Sequence, residues 1–196
     1  RSIRQDMAHF GTMNKRKKEN KPNDEWITPL ALVEKQISMV GGRPEDCWFD
    51  PFKNSGRYYN AFPTDNKVYT EILEGKDFFD YEGEVDIMCS NPPYSLWKEI
   101  YEKTLALNPR IISFVMAEAA LTRARTVMME SHGYKITKIN KFHVKRPNKE
   151  QYERGYRMWM TSVVVQWEKT TEEVAMDYTW DTKEYLFEEK SDDYHV

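Results

Sequence analysis

The chain is poor in the residues that most often announce a mechanism. Among its 196 residues are two cysteines, Cys47 and Cys89, both in apolar, strand-like stretches. Thiols so placed read as reduced and buried, which excludes a disulfide framework and points to a cytosolic-type compartment. The four histidines, His9, His132, His143 and His195, are scattered without ligand spacing to one another or to the cysteines, so no metal site is expected. No Cys-, Ser- or His-based triad stands out, which argues against covalent catalysis. A run of about eighteen apolar residues is missing, and no signal-peptide pattern opens the chain. No membrane partner is expected, and no internal repeat is present.

What is there describes one domain with charged ends. Hydrophobic content is 40% and charged content 31%, enough to bury a good core. Net charge is −3, but it is unevenly spread. Residues 1–22 hold seven Lys or Arg against two acids and read as a basic, flexible arm. Residues 168–196 hold ten acids against three bases, and 171–196 reads as an acidic tail. Without that tail the remainder carries +4, which suits phosphate contacts. The domain proper spans 23–170.

Strand and helix signals alternate through it. Thr28 before Pro29 reads as a helix start, an N-cap hydroxyl ahead of proline at the first helical position. Leu32, Val33, Gln36, Ile37 and Val40 follow at helical spacing, and Gly41-Gly42 stops the run. Residues 47–50 and 67–71 read as short strands, each ending on an acid. A helix is expected over 57–62, and 75–79 reads as a loop or short strand. The apolar run 85–89 is the central strand, 96–107 an amphipathic helix and 110–116 a further strand. A helix over 122–131 is closed by Gly133. Residues 134–144 and 160–167 alternate well enough to pair as a late hairpin. The pattern predicts an α/β fold, a mostly parallel Rossmann-like sheet with a late antiparallel hairpin, with ligands at the strand carboxyl ends.

The central strand breaks at Asn91-Pro92-Pro93-Tyr94. Two prolines without N–H groups cannot continue a ladder. The Asn91 and Pro92 carbonyls are thus left to face a cleft, beside the Asn91 amide and the flat ring of Tyr94. Such acceptors next to an aromatic plate suit a planar ring bearing an amine. Three features precede this tetrapeptide. Asp50-Pro51-Phe52-Lys53-Asn54-Ser55-Gly56 is a strand-to-helix turn, where a cofactor meets helix N-terminal amides. Glu71 ends the next strand, placed to accept ribose hydroxyls. Asp77 and Phe78 offer an acceptor for an exocyclic amine and a ring to lie on adenine. The cluster Lys145, Arg146, Lys149, Arg154 and Arg157, with Tyr152 and Tyr156, is the candidate nucleic-acid contact within 145–157.

Asn91-Pro92-Pro93-Tyr94 resembles the catalytic motif of S-adenosylmethionine-dependent DNA adenine-N6 methyltransferases. Asp24-Glu25-Trp26-Ile27-Thr28-Pro29 resembles the amino-terminal cofactor motif of their small phage- and virus-type members. The 50–56 turn is similar to their glycine loop, with Asn54 where glycine is usual; Asn tolerates the left-handed conformation glycine would supply. Glu71 matches their ribose acid and Asp77 their adenine-amine acceptor, and the motif order resembles the gamma arrangement.

The resemblance spans 23–168. It implies a class I methyltransferase fold and S-adenosylmethionine bound by Trp26, Thr28, Pro29, Asp50, Pro51, Phe52, Asn54, Gly56, Glu71, Ile72, Asp77 and Phe78. It also implies catalysis by Asn91, Pro92, Pro93 and Tyr94 on adenine flipped out of DNA, duplex or single-stranded. The expected place is the cytoplasm of a bacterial or phage-infected cell, or a nucleus if the source is eukaryotic. The alternatives are an RNA adenosine-N6 methyltransferase, a protein-glutamine methyltransferase lacking its helical domain, and a silent nucleic-acid-binding subunit.

Overall fold

Short apolar runs and helix signals alternate along the sequence, and the chain folds accordingly into helix layers on either side of one sheet. The computed structural model describes residues 26–145, 159–186 and 188–189. In order these form β1 (Trp26–Ile27), α1 (Leu30–Val40), β2 (Trp48–Asp50), α2 (Arg57–Ala61), β3 (Lys67–Tyr69) and β4 (Ile87–Ser90). Then come α3 (Trp97–Leu107), β5 (Ile111–Ala117), α4 (Arg123–Ser131), β6 (Tyr134–Lys145), β7 (Trp159–Lys169), β8 (Asp177–Leu186) and β9 (Glu188–Glu189).

Seven strands make the main sheet, ordered β3-β2-β4-β5-β7-β6-β8. The pairs β2–β3, β2–β4, β4–β5 and β6–β8 are parallel, and β7 runs antiparallel to both β5 and β6. β1 and β9 form a separate antiparallel pair. From β2 the chain moves one way to β3 and then returns to place β4 on the other side. The crevice between the carboxyl ends of β2 and β4 is therefore a topological switch point, where α/β sheets bind ligands.

Period-two alternation divides the core. Ile87, Cys89 and Ile111 face one side with Val33, Val40, Trp48, Tyr58 and Phe62. Met88, Ile112, Phe114 and Met116 face the other with Ile100, Tyr101, Met129 and Trp167. β4 and β5 are thus buried on both faces, as their apolar sequences require, while β3 at the sheet edge is half-buried. Truncating one such side chain to alanine typically costs about 2–5 kcal/mol. Gly41 ends α1 in the left-handed conformation, φ 68°. Gly42 is required by close approach, since a Cβ there would stand 2.7 Å from the Trp48 ring. Both cysteines are free thiols, Cys89 buried and Cys47 half-buried.

Three local expectations give way. Pro29, not Thr28, is the N-cap of α1, and no side chain caps that helix. Thr28 is engaged elsewhere, because its hydroxyl accepts a hydrogen bond from Asn91. Residues 72–80 hold two 3-10 turns, Ile72–Glu74 and Phe78–Asp80, capped by the side chains of Glu71 and Asp77. The acidic stretch after 170 is not all tail: β8 extends the sheet as its edge strand. Its inward residues include Asp181, so alternation of apolar side chains did not reveal it. The basic arm at 1–22 and most of 145–157 lie outside the described residues. Among the described residues no helix is long and apolar enough to cross a membrane.

Candidate active site

The site is built where β2 and β4 end. Asp50 closes β2 and is fully buried. Its Oδ1 accepts from the Ser90 hydroxyl at 2.8 Å and from the Phe52 N–H at 3.2 Å. Its Oδ2 is buried with no hydrogen-bond partner among the described residues. Burial pushes the carboxyl up to about 7, and bonds from Ser90, the Phe52 N–H and the Tyr59 N–H oppose this only in part. Glu71 nearby raises it further. Among the described residues, no cation answers this carboxylate.

The turn that follows has the backbone of a ligand cradle. Asn54 adopts φ 46° and Gly56 φ 80°, so Asn54 does occupy the left-handed region its type tolerates. Gly56 N–H donates to the Lys53 carbonyl at 2.7 Å, closing the turn. A side chain at Gly56 would meet Asn60 Nδ2 at 3.3 Å as well as adopting a strained φ. Asn54 Oδ1 is a second buried acceptor without a partner among the described residues.

The structure gives Glu71 and Phe78 work that the sequence reading missed. Glu71 Oε2 accepts from the Asn54 N–H at 2.8 Å and Oε1 from the Leu73 N–H at 3.1 Å. Glu71 therefore ties the 50–56 turn to the end of β3 before any ligand arrives. Asp77 Oδ1 accepts from the Phe79 N–H at 3.0 Å. Phe78 is 3% exposed and packs on Phe49, Phe52 and Phe79. It is a core residue, with no open face for an adenine. Ile72, 52% exposed beside Glu71, is the apolar surface left there. Lys53 and Lys76 flank the Tyr69 ring at 4.2 and 4.1 Å, and Lys53 pairs with Glu74.

Across the crevice, Asn91, Pro92 and Pro93 leave β4 and a 3-10 turn, Tyr94–Leu96, leads into α3. Asn91 Nδ2 donates to Thr28 Oγ1 at 3.0 Å. Asn91 Oδ1 is buried and has no partner among the described residues. Pro92 is buried, and Pro93 and Tyr94 are half-buried. The fold thus brings Asp50, Pro51, Phe52, Asn54, Gly56, Glu71, Thr28, Pro29 and Asn91 to the carboxyl ends of β2, β3 and β4. Trp26 enters by its backbone, in β1. Lys145 ends β6, while Arg146, Lys149, Arg154 and Arg157 lie outside the described residues.

Gln36, Tyr58 and Ser90 were not picked out as site residues. Their one sequence signal is polarity at core positions: a glutamine on the apolar stripe of α1, and a serine closing an apolar strand.

No protein-family model matches the sequence, and no curated protein matches it. Solved structures match its fold. A Pyrococcus horikoshii protein provisionally named an RNA methyltransferase aligns with a TM-score of 0.60 at 14% identity, over 78% of this chain and 92% of that one. A Listeria monocytogenes protein provisionally named a class I S-adenosylmethionine-dependent methyltransferase aligns with a TM-score of 0.55 at 12% identity, over 86% of this chain and 70% of that one. A dimethyladenosine transferase from Plasmodium falciparum aligns with a TM-score of 0.51 at 11% identity, over 74% of this chain and 62% of that one. The fold is that of the class I methyltransferases, with the Rossmann-like sheet and late antiparallel hairpin expected from the sequence.

Proposed function

We propose that this chain transfers a methyl group from S-adenosylmethionine to the exocyclic N6 amine of adenine in DNA. The observation that carries the reading is the buried, unpartnered Oδ1 of Asn91 at the switch-point crevice. A buried acceptor without a donor costs about 1–3 kcal/mol, and at this crevice a ligand N–H would recover that cost. Asn91 lies in a tetrapeptide suited to an aromatic amine, and the structural neighbours include a dimethyladenosine transferase.

The residues present fit the cofactor. Asp50 Oδ2 and Asn54 Oδ1 are buried acceptors awaiting donors, and Asn54 and Gly56 open the turn through positive φ. Asp50 lacks a cation, which a sulfonium or α-ammonium would supply. Glu71 retains acceptor capacity, since a carboxylate has about four lone-pair sites and two are used. When bound, the cofactor supplies a methyl group whose bond to sulfur breaks as its bond to nitrogen forms, leaving a neutral thioether.

The chain's part is alignment and charge. Asn91 Oδ1 and the Pro92 carbonyl accept the two amino hydrogens. This draws the nitrogen lone pair out of conjugation and holds it toward the methyl group. The same carbonyl dipoles offset the positive charge that grows on nitrogen. The surplus proton passes to water. Tyr94 supplies the face on which the flipped base stacks.

The test is incubation with labelled S-adenosylmethionine and unmethylated duplex DNA, single-stranded DNA or RNA, with products read by mass spectrometry. Label on adenine N6 of DNA supports the reading. Label confined to RNA, or found as N4-methylcytosine, overturns it in favour of another amine on the same clamp.

A further inference from the structure

We infer that Gln36, Tyr58 and Thr28 form a one-way hydrogen-bond relay that fixes which end of the Asn91 amide faces the substrate; this rests on the reading of Asn91 as the clamp for the target amine. An asparagine amide is a near-symmetric fork. Turned by half a revolution, it would present Nδ2 to the incoming amine, donor against donor, and could not bind it.

The relay starts from groups that can only accept. Gln36 Nε2 donates to the Ser113 carbonyl at 2.9 Å, to Ser113 Oγ at 3.1 Å and to the Ser90 carbonyl at 3.4 Å. Backbone carbonyls have no proton to give, so the NH2 end of Gln36 must lie there and Oε1 must point away. Oε1 can only accept, and Tyr58 donates to it at 2.6 Å. The single Tyr58 proton is then committed to Gln36. The Thr28 side chain is Tyr58's other hydrogen-bonding neighbour, and by elimination the donor of that pair is Thr28. Thr28 has likewise committed its one proton. Its oxygen can only accept from Asn91, so it faces Nδ2, at 3.0 Å. Oδ1 is left on the side away from Thr28, buried and without a protein donor among the described residues.

Burial makes this order strict. Gln36 is fully buried, Tyr58 is 5% exposed and Thr28 is 6% exposed. Bulk water therefore has no access to replace a bond or supply a stray proton. Arg57 Nη1 donates to the Thr28 carbonyl at 3.0 Å, holding that residue's backbone in place. Buried polar networks specify one arrangement when each member is satisfied. Here each member is satisfied in one direction only, and the one atom left over is the acceptor the chemistry needs. Gln36, Tyr58 and Thr28 are positioning residues: they act through Asn91.

Three kinetic variants, and one spectroscopic measurement assigned with a fourth, test this. Thr28→Val removes the acceptor with little change of shape. It lowers kcat about tenfold, well beyond whatever change in cofactor Kd follows from Thr28's place in the implied cofactor motif, and leaves the substrate KM within about twofold. Thr28→Ser keeps the hydroxyl and restores kcat. Tyr58→Phe frees the Thr28 proton, lets Thr28 donate to Oδ1 instead, and lowers kcat by a smaller factor. In 15N-labelled protein the Asn91 side-chain amide is assigned by its loss in Asn91→Asp. Its protons exchange slowly in the wild type and faster in Thr28→Val.

The relay is overturned by wild-type Asn91 amide protons that exchange as fast as those of surface asparagines. It is also overturned by wild-type kcat in Thr28→Val, by Thr28→Ser as impaired as Thr28→Val, or by cofactor affinity falling in step with kcat. If Tyr58→Phe does not fold, the Thr28 pair decides. If the wild type methylates no substrate, the functional reading falls while the amide exchange still judges the relay.

Discussion

Two buried carboxylates are treated in opposite ways. Asp181, in β8, is surrounded by donors: the Lys35 ammonium, the Tyr185 hydroxyl at 2.5 Å and the Lys183 N–H at 3.1 Å. Burial raises its pKa, but those three partners outweigh burial and bring it down to about 2. Asp50, at the end of β2, is buried at least as deeply and has neutral donors only; burial pushes it up to about 7. Both sit in the same sheet, so depth alone does not explain the difference. Asp181 has its cation built in and acts as a brace between α1 and β8. Asp50 has no cation beside it among the described residues, and Asn54 Oδ1 and Asn91 Oδ1 in the same crevice are also unpartnered there. Unpartnered buried polar atoms occur elsewhere too, Tyr101 Oη and Gln166 Oε1 among them, so the contrast rests on the carboxylates: Asp181 has a cation beside it and Asp50 has none among the described residues. Changes at the brace should therefore lower stability and spare turnover, and changes at the site should impair ligand binding or turnover without lowering stability.

The largest effect is expected at Asn91. Asn91→Ala removes one of two acceptors for the target amine but keeps both prolines and the turn. Turnover should fall about a hundredfold or more, the scale on which one aligned transition-state contact acts. Thermal melting and cofactor titration should stay near wild type. Tyr94→Ala should lose about 1–3 kcal/mol of stacking on a flipped base, and Tyr94→Phe should remain active. Wild-type methylation by Asn91→Ala would sink the assignment of this crevice.

Asp50→Asn separates binding from stability. A group whose folded pKa is raised keeps its proton where the unfolded chain has lost it. Its contribution favours the folded state below about pH 4 and is lost as pH rises through about 7. The unliganded Asp50→Asn protein should thus be the more stable at pH 8, by at most about 4 kcal/mol, and equal at pH 4. Cofactor affinity should move the other way. In the wild type it should tighten as pH rises through 7, because a cationic ligand favours the ionised carboxylate. In Asp50→Asn it should be weaker and flat with pH. Melting curves and calorimetric titrations at several pH values read both; a variant less stable at pH 8, with unchanged affinity, would make Asp50 a second brace.

At the brace, Asp181→Asn should cost roughly 1–3 kcal/mol by weakening a charged hydrogen-bonded group. Its pKa is depressed on folding, so the stability it contributes is present above about pH 4 and lost as pH falls toward 2. The melting temperature should drop at pH 7 and converge with wild type in acid, with kcat unchanged. A fall in kcat larger than the fall in stability would erase the distinction between the two carboxylates.

How far the sequence foretold this depended on whether a role was local. Asn54 at positive φ, Gly41 ending α1 and the strand broken by Pro92-Pro93 are backbone events, and residue type alone decides them. β4 and β5 were legible because strands buried on both faces are largely apolar. β8 was not, since charge, not apolar period, dominates its ten residues and one inward position is Asp181. Thr28 was misread as a helix cap because its true partner, Asn91, lies sixty-three positions away. Gln36 reaches Ser113 across seventy-seven positions. Long-range polar contacts leave a residue of the wrong polarity in a core pattern and no clue to its partner.

Glu71 carries the smallest and sharpest test, because it belongs to both kinds. It stands at the site, yet both its oxygens already hold backbone N–H groups, of Asn54 and Leu73. A pure brace would affect the cofactor only through the 50–56 turn, and would do so whether or not the ligand has ribose hydroxyls. A carboxylate that uses its remaining lone pairs would sense those hydroxyls directly. Glu71→Gln keeps one acceptor oxygen and turns an NH2 toward one of the two N–H groups. Its effect on stability should be below about 1 kcal/mol, since only one of the two bonds is lost and neither is fully buried. Affinities of wild type and Glu71→Gln for the cofactor and for its 2′-deoxy analogue close a double-mutant cycle. The expected coupling is about 1 kcal/mol, within the range for groups in direct contact. A coupling of zero would leave Glu71 as the strut that shapes the turn, and would assign ribose recognition to another group at the end of β3.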